Sequence, residues 1–143
     1  MSLDLSPLES AVAQMAEALD LHGSDLVRDN PQLKKHLRAA TIQAFEFTYE
    51  VSLKMLRRHM TLSADSPVEI DLMSFSNLIR EAYGKNMIRS DLVAWRKYRQ
   101  NRGITSHTYN EDRAQEIFEA VPDFLDEARY LLGRLQERNR LLD

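Results

Sequence analysis

Ile42-Gln43-Ala44-Phe45-Glu46-Phe47-Thr48-Tyr49-Glu50-Val51-Ser52-Leu53-Lys54-Met55-Leu56 is the stretch that decides the fold. Ile42, Phe45, Tyr49, Leu53 and Leu56 recur three or four residues apart, which puts them on one apolar stripe of an α-helix. The pattern runs from about Pro31 to Met60. At about 1.5 Å per residue this is a rod about 40 Å long, enough to serve as the spine of a bundle. Phe45, Phe47 and Tyr49 read as core or near-core packing. Glu46, Glu50 and Lys54, each one turn from the next, read as an ion-pair series along the solvated side.

Working outward, Ser6-Pro7-Leu8-Glu9 predicts a helix start, with Ser6 as cap and Pro7 at the first helical position. Leu8, Val12, Met15, Ala16 and Leu19 follow at helical spacing, and His22-Gly23 ends the segment. Residues 24–30 read as a short helical link closed by Pro31. Downstream, Thr61 to Pro67 is polar and reads as a loop. A third helix is expected from Leu72 to Tyr83, with Gly84 as its C-terminal cap. Ser90-Asp91 opens a fourth, containing Leu92, Val93, Trp95 and Tyr98. Asn110 caps the last helix, whose positive end suits Glu111 and Asp112. Ile117, Val121, Phe124, Leu125, Ala128, Leu131, Leu132 and Leu135 supply its buried face, and Pro122 marks a kink. No strand pattern or repeat interrupts this series. The expectation is an all-α domain over residues 1–143, with four or five antiparallel helices joined by short loops.

Composition fits that reading. A chain of 143 residues, 43% hydrophobic and 29% charged, can bury one core without metals or disulfides. Four glycines and four prolines are too few for many short strands and turns. The absence of cysteine excludes a disulfide framework, a thiolate metal site and a cysteine nucleophile. No apolar run approaches the ~20 residues that span a bilayer, and the first residues lack the pattern of a secretion signal. A cytoplasmic protein with no membrane association is expected. A net charge of −3 argues against a generally basic nucleic-acid binder and confines any RNA contact to a local cluster of cations. His22, His36 and His59 have no metal-ligand spacing and read as surface residues, so no metal site is expected. No glycine-rich phosphate loop is present, so the chain is not itself read as a nucleotidyltransferase.

The residues that can carry chemistry lie in Trp95-Arg96-Lys97-Tyr98-Arg99-Gln100-Asn101-Arg102-Gly103-Ile104-Thr105-Ser106-His107-Thr108-Tyr109. Arg96, Lys97 and Arg99 are candidate contacts to RNA or phosphate, since cations beside aromatic rings grip a backbone and stack bases. A solvated helix face reads the same way. His107 titrates near neutral pH, and Arg102 offers a permanent forked cation suited to phosphate. Together they form a minimal kit for metal-free RNA cleavage. The imidazole moves protons at the 2′-hydroxyl or leaving oxygen, and the guanidinium stabilises the phosphorane. On one ideal helix, however, five residues turn through about 140°, so the two side chains would not share a face. A bend at Gly103 or pairing across two subunits is needed to join them.

Ile42-Gln43-Ala44-Phe45-Glu46-Phe47-Thr48-Tyr49-Glu50, then Arg80-Glu81-Ala82-Tyr83, Trp95 and Arg102-x4-His107-Thr108-Tyr109, resembles the nucleotidyltransferase substrate-binding protein family. That family is HepT-like and belongs to the HEPN group. The likeness extends from about residue 8 to residue 136. It implies an up-and-down four-helix bundle with a short extra helix, forming a homodimer whose interface cleft is lined by the motif from both subunits. It also implies a partner, a minimal nucleotidyltransferase encoded nearby. In the HepT branch the bundle is a metal-independent RNase toxin. Its partner silences it by moving AMP from ATP to the motif tyrosine, here Tyr109, so ATP belongs to the partner and this chain needs no cofactor. One position departs from the pattern. Members with nuclease activity usually carry Asn or Asp directly after the arginine, where this chain has Gly103. Two functions stay open, an RNase toxin and a non-catalytic subunit that presents substrate to the nucleotidyltransferase.

Overall fold

The computed structural model describes residues 2–105 and 110–142. Among them run α1 (Ser6–His22), a single 3-10 turn (Asp25–Val27), α2 (Pro31–Ser63), α3 (Pro67–Asp71), α4 (Phe75–Gly84), α5 (Leu92–Thr105) and α6 (Glu111–Leu142), with no strand. The all-helical expectation holds. The helix count exceeds the four or five anticipated: the stretch 61–67 read as a loop contributes the last turn of α2, and α3 begins at its end and occupies residues 68–71, which no expected helix covered. No helix among the described residues is long and apolar enough to cross a membrane.

α2 is the spine, in contact with every other helix. Its stripe buries Phe45, Tyr49 and Leu56, with Ile42 and Leu53 at the margin. Phe47 is 53% exposed, against the expectation of near-core packing. It lies two residues from Phe45, about 200° around the helix, and so faces the opposite way. α6 completes the core through Ile117, Val121, Phe124, Leu125, Ala128, Leu131 and Leu135, and it runs through Pro122 without interruption.

Polar bonds fix how the helices lie against α2. The Thr48 hydroxyl is within reach of the Ala44 carbonyl (2.7 Å) and the Ala11 carbonyl of α1 (3.2 Å). Arg57 donates to the carbonyls of Ile70 and Met73, both at 2.9 Å, and so pins α3 and the turn after it. Asn30, Ser74, Asp91 and Asn110 each accept from backbone amides at a helix start, contacts worth about 1 kcal/mol each. Asn110 and Asp91 thus act as the sequence suggested.

Two end signals were misassigned. Ser6 is the first helical residue rather than the cap. Its amide and hydroxyl both donate to Asp4 Oδ1, at 3.0 and 2.6 Å, and the cap position falls to Leu5. Gly84 is the last residue of α4, and the left-handed position after it belongs to Asn86, at φ 62°. Asparagine tolerates that region because its short polar side chain bonds locally.

Candidate functional site

Aromatic packing sets where α5 lies. Trp95 is fully buried and meets Tyr98 edge-on at 5.3 Å, while Tyr98 meets Phe124 at 5.0 Å and Phe124 meets Phe45 at 5.1 Å. These rings lock α5 between α2 and α6. Val93 of the same helix is exposed.

A buried acid network holds the start of α5. Glu127 of α6 is wholly inaccessible, and its Oε2 accepts from the amides of Arg89 (2.7 Å) and Ser90 (3.4 Å). The Tyr98 hydroxyl donates to Asp123 at 2.7 Å, and Arg89 spans both acids, 2.7 Å from Asp123 and 3.8 Å from Glu127. Burial and these acids push the Tyr98 phenol well above its usual range. Burial alone would raise the Asp123 carboxyl, but the Tyr98 and Arg89 hydrogen bonds prevail and hold it below the carboxylate range.

With that face fixed, the opposite side of α5 carries charge. Arg96, Lys97 and Arg99 are exposed, and the Arg99 guanidinium lies over the Phe75 ring, 4.7 Å from its centre. Stacked this way, a guanidinium keeps its donors turned to solvent. Arg102, one turn further, is half-buried and forms an ion pair with Glu50 of α2. Burial raises the Tyr49 phenol to about 12, against the pull of Arg99 and Arg102. Glu50 is therefore engaged between helices, not in the series with Lys54 that its spacing suggested.

α5 continues as helix through Gly103 to Thr105, so the helix does not end at the glycine. A side chain at Gly103 would meet nothing within 4 Å among the described residues, so no packing demand among them explains the glycine. His107 and Tyr109 lie outside the described residues. Just beyond them, Glu111 at the start of α6 pairs with Arg38 and, at 3.4 Å, Lys35 of α2. The Arg38 hydrogen bond holds the Glu111 carboxyl below its usual range. Ion pairs to α2 thus hold both the end of α5, at Arg102, and the start of α6, at Glu111. Of the residues the sequence singled out, the structure joins Arg102 to Glu50 and Arg99 to Phe75, and it leaves Arg96 and Lys97 exposed, with no ion pair among the described residues.

Among the described residues no cluster of three metal-ligating side chains occurs. His36 is exposed and His22 half-buried, packed against Phe118 at 4.4 Å. His59, expected on the surface, is only 6% exposed. Its place, three residues after Leu56 on the stripe of α2, was the available signal.

Residues 3–137 match the family described as nucleotidyltransferase substrate binding protein like. The chain is 37% identical over 135 residues to a Haemophilus influenzae protein named "Probable ribonuclease HepT", covering 93% of this chain and 87% of that one. A solved Haemophilus influenzae structure, described as revealing the fold of a substrate binding domain of a nucleotidyltransferase, superposes with a TM-score of 0.86 at 32% identity. That match covers 93% of this chain and 99% of the other. The helical fold built on α2 is thus shared with that structure, and the chain belongs to the nucleotidyltransferase substrate-binding protein family.

Proposed function

We propose that this chain is the HEPN-type toxin of a nucleotidyltransferase pair, a metal-independent RNase silenced by AMP transfer to Tyr109. The observation that carries this reading is the setting of Arg102. It is held by Glu50 near the end of a helix whose exposed cations lead directly into the His107–Tyr109 segment. The likeness to a protein named a probable ribonuclease supports it. In the cleavage, His107 takes the proton of a ribose 2′-hydroxyl, whose oxygen attacks the adjacent phosphorus. Arg102 stabilises the pentavalent phosphorane, and the 5′-oxygen leaves with a proton taken from water. In the silencing, the Tyr109 oxygen bonds to the α-phosphorus of ATP, pyrophosphate departs and the phenolic proton passes to solvent. The added anion repels RNA phosphate. A homodimer would bring Arg102 of one subunit near His107 of the other, in a single-domain chain acting in the cytoplasm.

The test pairs the protein with its cognate nucleotidyltransferase and ATP. Mass spectrometry should find an adenylyl adduct on the wild type and none on Tyr109→Phe. An unmodified wild type beside an active partner overturns the switch. The second reading, a non-catalytic subunit presenting substrate, is favoured by Gly103, where the usual Asn or Asp would meet no obstruction among the described residues. Expression without the partner separates the two, since only a toxin arrests growth.

A further inference from the structure

At the far end of α2 from the motif, the chain encloses a second feature. A cavity of about 390 Å³ opens between the last turns of α2, the segment after α4 and the end of α6. Met60, Met87 and Leu141 form its apolar wall, and Lys85 and Arg138 bring two cations to it. His59 also lines it, and its Nδ1 is buried with no hydrogen-bond partner among the described residues. A volume of several hundred Å³ with an apolar wall and a few convergent polar groups is the ordinary form of a small-molecule site.

Charge gives the class of ligand. Lys85 has one distant acid, Glu81 at 3.9 Å, and Arg138 is half-buried with no carboxylate paired to it among the described residues. Burial, then Arg138 and Lys85, keep the His59 imidazole below its usual range and hence neutral, so it can accept or donate one bond without adding charge. Cations at helix carboxyl ends also offset the helix dipole, but that role needs neither a hollow nor a buried imidazole beside it. We propose that this cavity binds a small amphipathic anion, its carboxylate or phosphomonoester head on Lys85 and Arg138 and a short apolar body against Met60, Met87 and Leu141. His59 sits about 13 Å along α2 from Glu50, at 1.5 Å per residue, so the site is separate from the one proposed for RNA.

Methionine methyl NMR tests this on the full chain, with hexanoate, hexyl phosphate, hexanol and inorganic phosphate as probes. Both hexyl anions should shift the Met60 and Met87 methyls saturably, and the stronger of them names the head group. Hexanol and inorganic phosphate should bind at least ten-fold more weakly. The double variant Lys85→Gln, Arg138→Gln should lose anion binding ten-fold or more while its methyl spectrum stays that of a folded protein. No saturable shift, equal binding of hexanol, or unchanged affinity in the double variant would each overturn the proposal.

Discussion

Glu50 on α2 holds the guanidinium of Arg102 on α5, fifty-two residues further along the chain. A long cation tethered by an ion pair loses rotamers before substrate arrives, and its guanidinium is held in a fixed direction. Glu50 is thus a positioning residue for the proposed cleavage. Glu50→Gln keeps the shape and removes the charge. It should lower single-turnover RNA cleavage about ten-fold, against a loss of about 10²–10³ for Arg102→Ala. Glu50 is 57% exposed while Arg102 keeps 26%, so the pair is partly screened and stability should move by about 1 kcal/mol. Cleavage by Glu50→Gln at the wild-type rate would end the positioning role.

Phe45 and Phe47 offer a control on the same helix. Phe45 is 2% exposed and packs on Phe124 and Tyr49, so Phe45→Ala should destabilise by about 3–5 kcal/mol in urea unfolding. Phe47→Ala removes an exposed ring and should stay within about 0.5 kcal/mol. Equal losses at both positions would mean that a second surface covers Phe47 in solution.

These two rings also show what a sequence can and cannot convey. Periodicity marks a stripe, so Phe45, Tyr49, Leu56 and the buried face of α6 were legible, and so was the all-helical class. Phe47 was misjudged because its residue type was weighed above its angle. His59 and Glu127 were missed for the converse reason, since both sit at stripe positions but are polar. α3 was missed because five residues hold too little pattern to stand out from a polar loop. The Glu50–Arg102 pair is a contact between distant helices, and no spacing within one sequence encodes it.

Glu127 is where a buried acid can be tested. It accepts two backbone amides at the entry to α5 and lies beside Arg89 and Tyr98. Glu127→Ala leaves those donors without an acceptor and should cost about 3–5 kcal/mol. Glu127→Gln retains a carbonyl oxygen and should cost clearly less. Thermal unfolding of the two variants gives the comparison, and equal melting points would show that water replaces the carboxylate.

His59 predicts a pH dependence. Burial first, then Arg138 of α6 and Lys85 after α4, lower its folded pKa from 6.5. The unfolded chain therefore binds the proton more readily, and folding stability rises with pH across this window. The contribution is fully present above about pH 6.5 and is lost as the pH falls through that value toward the lower folded pKa. Urea midpoints measured from about pH 7.5 to about pH 5 should decline for the wild type, and His59→Gln should flatten the decline. An unchanged slope in the variant would assign it to other groups.

The two ion pairs on either side of the motif share a single support. Arg102 is tied to Glu50 and Glu111 is tied to Arg38, and both Glu50 and Arg38 belong to α2. Measured along that helix the two moorings are twelve residues apart, about 18 Å. The end of α5 and the start of α6 are thus moored to one stiff beam, not to two independent ones. A load applied to either of these ends passes into α2. Loosening Glu50 or Arg38 weakens the hold of one of the two ends on that common beam.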